Sequence, residues 1–123
     1  LADKDSRISC LGLVPDGALF RFYNGLDLFC FPTLIEGYGL PPVEAMACGV
    51  PVVIMADSII PDDVRNRCLP VQDLTRFFNS PGAMEVALRD TGNFSNIQFG
   101  AEHRWSKCVD SYVALYENIV RGE

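Results

Sequence analysis

Short, continuous apolar runs alternate with segments of helical period through the first two-thirds of the chain. Ile8-Ser9-Cys10-Leu11 reads as a strand closed by Gly12, and residues 18–25 as a short helix with Asp16 placed to cap it. Leu28-Phe29-Cys30-Phe31 is apolar without interruption and ends at Pro32, the pattern of a strand covered on both faces. A turn rich in glycine and proline follows, then a helix over residues 43–48, stopped by Gly49. Residues 50–55 predict the next buried strand and residues 68–71 a weaker fourth. Strands and helices in this alternation predict parallel βαβ units, hence an α/β fold. The last third reads as helical, with residues 91–96 the expected loop. Its terminal helix covers residues 105–121, where Cys108, Val109, Tyr112, Val113, Tyr116, Ile119 and Val120 recur at three and four to make one apolar face.

Composition narrows what such a chain can meet. At 123 residues it fits one domain, and the hydrophobic fraction of 49% is that of a globular chain. Sixteen acidic against ten basic residues give a net charge of −6. That field repels phosphate backbones, so nucleic acid and anionic membrane surfaces are poor general partners. A small phosphate-bearing molecule binds only where local donors overcome it. No run approaches the roughly 20 apolar residues of a spanning helix, and no signal peptide opens the chain. The five cysteines are odd in number and widely spaced, without a CxxC pair, which favours free thiols in a reducing cytoplasm over a disulfide framework or a zinc site. The chain opens on Leu1, so the expectation is that either the true N-terminus is missing or this is an excerpt of a longer chain.

The chemistry concentrates between the second and third predicted strands, in Pro32-Thr33-Leu34-Ile35-Glu36-Gly37-Tyr38-Gly39-Leu40-Pro41-Pro42-Val43-Glu44-Ala45-Met46-Ala47-Cys48-Gly49. It starts at the carboxyl end of a buried strand, the edge at which open α/β sheets bind ligands. Gly37 and Gly39 allow the backbone positive φ and close approach to a ligand. Pro41 disfavours helical angles at Leu40, so the helix is expected to start after it. The N–H groups of Gly39, Leu40 and Val43 are then free to converge on an anion at the helix N-terminus. A helix dipole contributes about 0.3–1 kcal/mol there, too little to hold a diphosphate without basic side chains. Glu36 and Glu44 flank this cradle. Carboxylates repel phosphate, so they are expected to accept hydrogen bonds from sugar hydroxyls on either side of it.

This stretch resembles the signature of glycosyltransferase family 4, two glutamates separated by seven residues around a Gly-aromatic-Gly-Leu-Pro turn. The resemblance runs from Arg7 to about Val71, and more loosely through Arg104-Trp105-Ser106-Lys107 into the terminal helix. It implies the C-terminal, donor-binding domain of a retaining GT-B glycosyltransferase, Rossmann-like and partial here. By that likeness Glu36 is the catalytic residue that faces the donor sugar near its anomeric centre. Glu44 takes the ribose hydroxyls, and the Gly39 and Leu40 amides, beside Gly37 and Tyr38, take the distal phosphate. Gly12, Leu13 and Val14 sit beside the base. The resemblance implies a hexosyl-type transfer from a nucleotide-diphosphate sugar, with no metal and no cofactor.

Other residues carry plainer readings. Tyr38 is expected to pack rather than to stack on a ligand. Thr33 caps the turn or touches phosphate, the cap being preferred. His103 has no partner at metal or triad spacing and reads as structural. Arg65 and Arg67 invite a phosphate role, but Asp62 and Asp63 beside them suggest a solvated, mixed-charge loop. Here Pro61-Asp62-Asp63-Val64 departs from the family's Pro-Glu-Val, and the segment after it is shortened.

Set against that likeness, the expectation is that the family's opening strands and basic Gly-Arg…Lys-Gly region are missing before Arg7, and with them the acceptor-binding N-terminal domain. The expectation is therefore a fragment inactive alone, with sheet edges that a partner chain or oligomer covers. Its parent is expected to be cytoplasmic, peripheral to the membrane through the missing domain, and to serve a sugar or lipid-linked acceptor in carbohydrate biosynthesis. Two rival readings are a non-catalytic nucleotide-binding or assembly module and a GT-B-like sugar-nucleotide epimerase.

Overall fold

The computed structural model describes residues 5–89 and 93–121. Three short strands, β1 (Phe29–Phe31), β2 (Val52–Met55) and β3 (Leu69–Val71), form a parallel sheet in the order β1-β2-β3. Phe29 lies opposite Val52, and Val53 opposite Leu69, so the apolar runs align side by side. Around the sheet run α1 (Asp16–Asn24), α2 (Leu40–Ala47), α3 (Asp62–Arg65), α4 (Leu74–Phe78), α5 (Pro81–Leu88), α6 (Phe94–Glu102) and α7 (Trp105–Arg121). The fold is α/β and parallel, consistent with part of a Rossmann-like domain.

Alternation along β2 explains the layers. Val52 and Ile54 enter one cluster with Tyr23, Val43, Met46 and Phe99, while Val53 enters another with Phe77 and Ala87. Successive strand side chains point to opposite faces, so one strand needs helices on both sides of the sheet. Burying each of these three side chains contributes roughly 1.5–3 kcal/mol.

Three expectations are corrected. Residues 8–11 form no strand, and Ile8 and Leu11 are exposed. A strand needs a ladder partner, and among the described residues none pairs with this segment. Helix α1 begins at Asp16 rather than Ala18, with Pro15 as its N-cap and no side-chain cap; Asp16 sits in the first turn instead, where a carboxylate suits the helix dipole. The expected loop over residues 91–96 is in part the start of α6. Asn93 caps it, its side chain accepting the Asn96 N–H at 3.1 Å. Residues 91 and 92 lie outside the described part.

Candidate functional site

Helix α2 starts one turn earlier than its prolines suggest. Gly39 is its N-cap at φ 83°, ψ 53°, and Leu40, Pro41 and Pro42 already belong to the first turn. Proline is tolerated there because a first-turn N–H has no intrahelical acceptor in any case. The left-handed angle at Gly39 turns the chain into the helix, and no side-chain cap is present. Gly37 adopts no left-handed φ, so the expected pair of turning glycines reduces to one. Nor is the Val43 N–H free, since it donates to the Gly39 carbonyl at 3.4 Å. Of the three expected donors, Gly39 and Leu40 are left, which meet no backbone carbonyl among the described residues. They stand at the carboxyl end of β1, where the chain leaves the sheet.

The two glutamates are held in the same chemical manner. Tyr23, buried on α1, donates its hydroxyl to Glu44 Oε2 at 2.9 Å. Burial, and then this bond to Glu44, push the Tyr23 phenol well above the ordinary phenol range, so it stays a donor. Thr33 donates to Glu36 Oε1 at 3.1 Å, with a longer contact to the Ile35 carbonyl at 3.4 Å. Neither carboxylate is in an ion pair among the described residues. A carboxylate offers about four lone-pair sites, so one hydroxyl on each leaves most of its accepting capacity open. Glu44 is exposed and Glu36 half-buried.

Around Glu36 the loops after β1 and β2 are laced together. Glu36 N–H donates to the Ile59 carbonyl at 3.0 Å and Ile59 N–H to the Leu34 carbonyl at 2.7 Å. Ser58, 3% exposed, donates its hydroxyl to the Thr33 carbonyl at 2.5 Å. Arg65 donates to the carbonyls of Ala56 and Ser58. Arg67 donates to Ser95 Oγ at 3.0 Å and lies 4.3 Å over the Phe99 ring. Both arginines therefore clamp the fold, which corrects the reading of a solvated, mixed-charge loop. Tyr38 packs as expected, stacked on His103 with ring centroids 5.5 Å apart and donating to Asp63 Oδ2 at 2.9 Å. His103 serves the same packing, with Nδ1 2.7 Å from the Phe99 carbonyl oxygen.

A cavity of about 260 Å³ lies between α2 and α6, with Leu40, Val43, Glu44, His103 and Arg104 in its wall. Glu36 does not line it. Gly12, Leu13 and Val14 precede α1, whereas Tyr23 meets Glu44 from its last turn. At 1.5 Å per residue, α1 rises roughly 10 Å from Asp16 to Tyr23. No hydrogen bond among the described residues joins the loop over residues 12–14 to either glutamate. A larger cavity of about 530 Å³ opens at the amino edge of the sheet, lined by Leu28, Pro51, Arg67 and Asn96 among others. Its Arg67 and Asn96 are bonded to one another's segments.

Tyr23 and Ser58 escaped the sequence reading, and Arg65 was read there as part of a solvated loop. Tyr23 carried a signal, a hydroxyl at the end of an otherwise apolar helix stripe. The contacts of Ser58 and Arg65 carried none, because their acceptors are backbone carbonyls supplied by the fold. Among the described residues no three His, Cys, Asp or Glu side chains gather as a metal site, and no helix is long and apolar enough to cross a membrane.

Comparison with known proteins gives this arrangement a context. Residues 4–72 match the family described as glycosyl transferases group 1. The chain is 43% identical over 118 residues to the O-antigen chain mannosyltransferase B of Escherichia coli, covering 93% of this chain and 31% of that protein. It is 34% identical over 127 residues to the serotype-specific mannosyltransferase WbdA of the same organism, covering 92% of this chain and 15% of the relative. To the D-inositol 3-phosphate glycosyltransferase of Mycolicibacterium smegmatis it is 31% identical over 104 residues, covering 80% and 24%. The chain thus spans a third or less of the relatives it matches. No solved structure matches it at a significant level.

Proposed function

This chain belongs to the group 1 glycosyl transferases, and we propose that it carries the donor-binding half of an enzyme that moves a glycosyl unit from a nucleotide-diphosphate sugar to an acceptor hydroxyl, with retention of configuration. One observation supports this above the others. At the start of α2 a left-handed glycine and two prolines leave the Gly39 and Leu40 N–H groups unclaimed, with Glu36 and Glu44 on either flank, each held by a hydroxyl and by no cation.

The chemistry follows from where charge develops. As the bond from the anomeric carbon to the diphosphate breaks, negative charge grows on the departing phosphate. Fixed amide donors and a helix N-terminus stabilise that charge more than they stabilise the intact donor. The dipole supplies about 0.3–1 kcal/mol, up to about 2 where partly buried, so further cations have to share the diphosphate. Arg65 and Arg67 do not fill that role, being bonded within the fold, whereas Arg104 lines the same cavity as Leu40 and Glu44. Glu44 takes ribose hydroxyls and Glu36 the hydroxyls of the donor sugar; neither is assigned as a general base. The relatives named as mannosyltransferases make a mannosyl donor the first to test.

A second reading, a non-catalytic nucleotide-binding or assembly module, is favoured by the internal bonding of both arginines. Calorimetric titration with nucleoside diphosphates separates the two. The donor site predicts micromolar binding, weakened about tenfold by Glu44→Ala, the value of one hydrogen bond to a charged group. No heat of binding at millimolar ligand supports the module.

A further inference from the structure

A chain of hydrogen bonds ends on Glu36. Its first member, Arg65 on α3, spreads its two terminal nitrogens over the carbonyls of Ala56 and Ser58, in the loop that leaves β2. A guanidinium fork fixes two acceptors at once, so that loop has little freedom left. From it Ser58, almost fully buried, reaches across to the Thr33 carbonyl at 2.5 Å. Thr33 in turn donates its hydroxyl to Glu36 Oε1 at 3.1 Å. Two backbone bonds, between Ile59 and residues 34 and 36, run parallel to this chain and hold the two loops in register.

We propose that Arg65, Ser58 and Thr33 are positioning residues that aim the Glu36 carboxylate, and that the loop after β2 thereby sets how tightly the donor's sugar is held. The inference rests on the reading of Glu36 as a sugar-hydroxyl acceptor. It changes the role of Thr33 from a phosphate or turn contact to the group that orients Glu36. One carboxylate oxygen is pinned by Thr33, so the carboxyl plane has a fixed direction and its remaining lone pairs are presented together. Without the hydroxyl, Glu36 keeps its backbone bond to Ile59, and its side chain becomes free to rotate. The loss then falls on recognition of the sugar and leaves the diphosphate site intact.

The test compares affinities of the 123-residue chain for a nucleotide sugar and for the matching nucleoside diphosphate, using GDP-mannose with GDP and UDP-glucose with UDP. The wild-type chain is expected to bind one sugar nucleotide more tightly than its diphosphate. Thr33→Val, close in shape but lacking the hydroxyl, is expected to lower the sugar-nucleotide affinity about tenfold, the worth of one charge-assisted hydrogen bond. Diphosphate affinity stays within about twofold on the same scale. Thr33→Ser restores the difference. Ser58→Ala gives a smaller loss in the same direction, and a thermal melt of each variant shows whether folding is kept. A sugar-dependent gain untouched by Thr33→Val overturns the positioning role alone, as does a variant that weakens sugar nucleotide and diphosphate equally. A wild-type chain that binds diphosphates but gains nothing from the sugar removes the role of Glu36 and this inference with it. Binding of neither ligand removes the donor-site reading itself.

Discussion

Tyr38 shows how a motif residue earns its place by packing. It stacks on His103 and donates to Asp63, and burial followed by this bond pushes its phenol up to about 12 from the ordinary value of 10.0. The fold therefore favours the protonated phenol. This contribution is complete below pH 10, where folded and unfolded chains both keep the proton, and it is lost as pH rises from 10 through about 12. Thermal melts across that interval are expected to show midpoints falling more steeply in the wild-type chain than in Tyr38→Phe; equal slopes would contradict the assignment. Residue by residue, legibility was uneven. The packing of Tyr38 and His103 could be read from the chain, for His103 because no partner stands at metal or triad spacing. The reading of Gly37 as a turning glycine failed, because the pair Gly37 and Gly39 looks symmetric until the backbone places only one at positive φ. Arg65 and Arg67 misled for a similar reason: adjacent aspartates describe their neighbours in sequence and not the carbonyls they reach.

At the level of elements, β1 and β2 were legible because continuous apolar runs need cover on both faces, and the helices in Val52/Ile54 and Val53 contact provide it. Residues 8–11, apolar but for Ser9, form no strand, because a strand is a property of two segments and not of one. The early start of α2 was hidden by Pro41, whose local preference yields to the burial of Pro42 and Val43 in the first turns. The union of α2 with α6 had no sequence signal at all. Gly100 of α6 lies so close to α2 that an added Cβ would stand 2.6 Å from the Ala47 Cβ and from its backbone nitrogen. Within a helix, Gly→Ala ordinarily stabilises by about 1 kcal/mol. Here the backbone of α2 blocks it, and overpacking costs typically 1–3 kcal/mol, so the sign is expected to reverse. Gly100→Ala should lower the denaturation midpoint in urea without changing the slope of the transition. A rise in midpoint would show that the helices are not in such contact.

Across the whole molecule, the acidic chain sets its polar features on two opposite edges of the sheet. The amino edge has the larger cavity, with Arg67 in its wall, and the carboxyl edge has the glycine turn, with Glu36 in the loop before it and Glu44 one turn into α2. A net charge of −6 makes anion binding the harder task, so an anion goes only where unclaimed donors are fixed in place. Gly39 and Leu40 supply such donors, and the arginine at the other edge is bonded within the fold. Backbone amide spectra of isotopically labelled chain, recorded during titration with a nucleoside diphosphate, locate the bound phosphate directly. The account predicts that the Gly39 and Leu40 signals move most and saturate together, while those of Arg67, Ser95 and Asn96 stay still. Signals that move at the amino edge, with Gly39 and Leu40 unchanged, would contradict it.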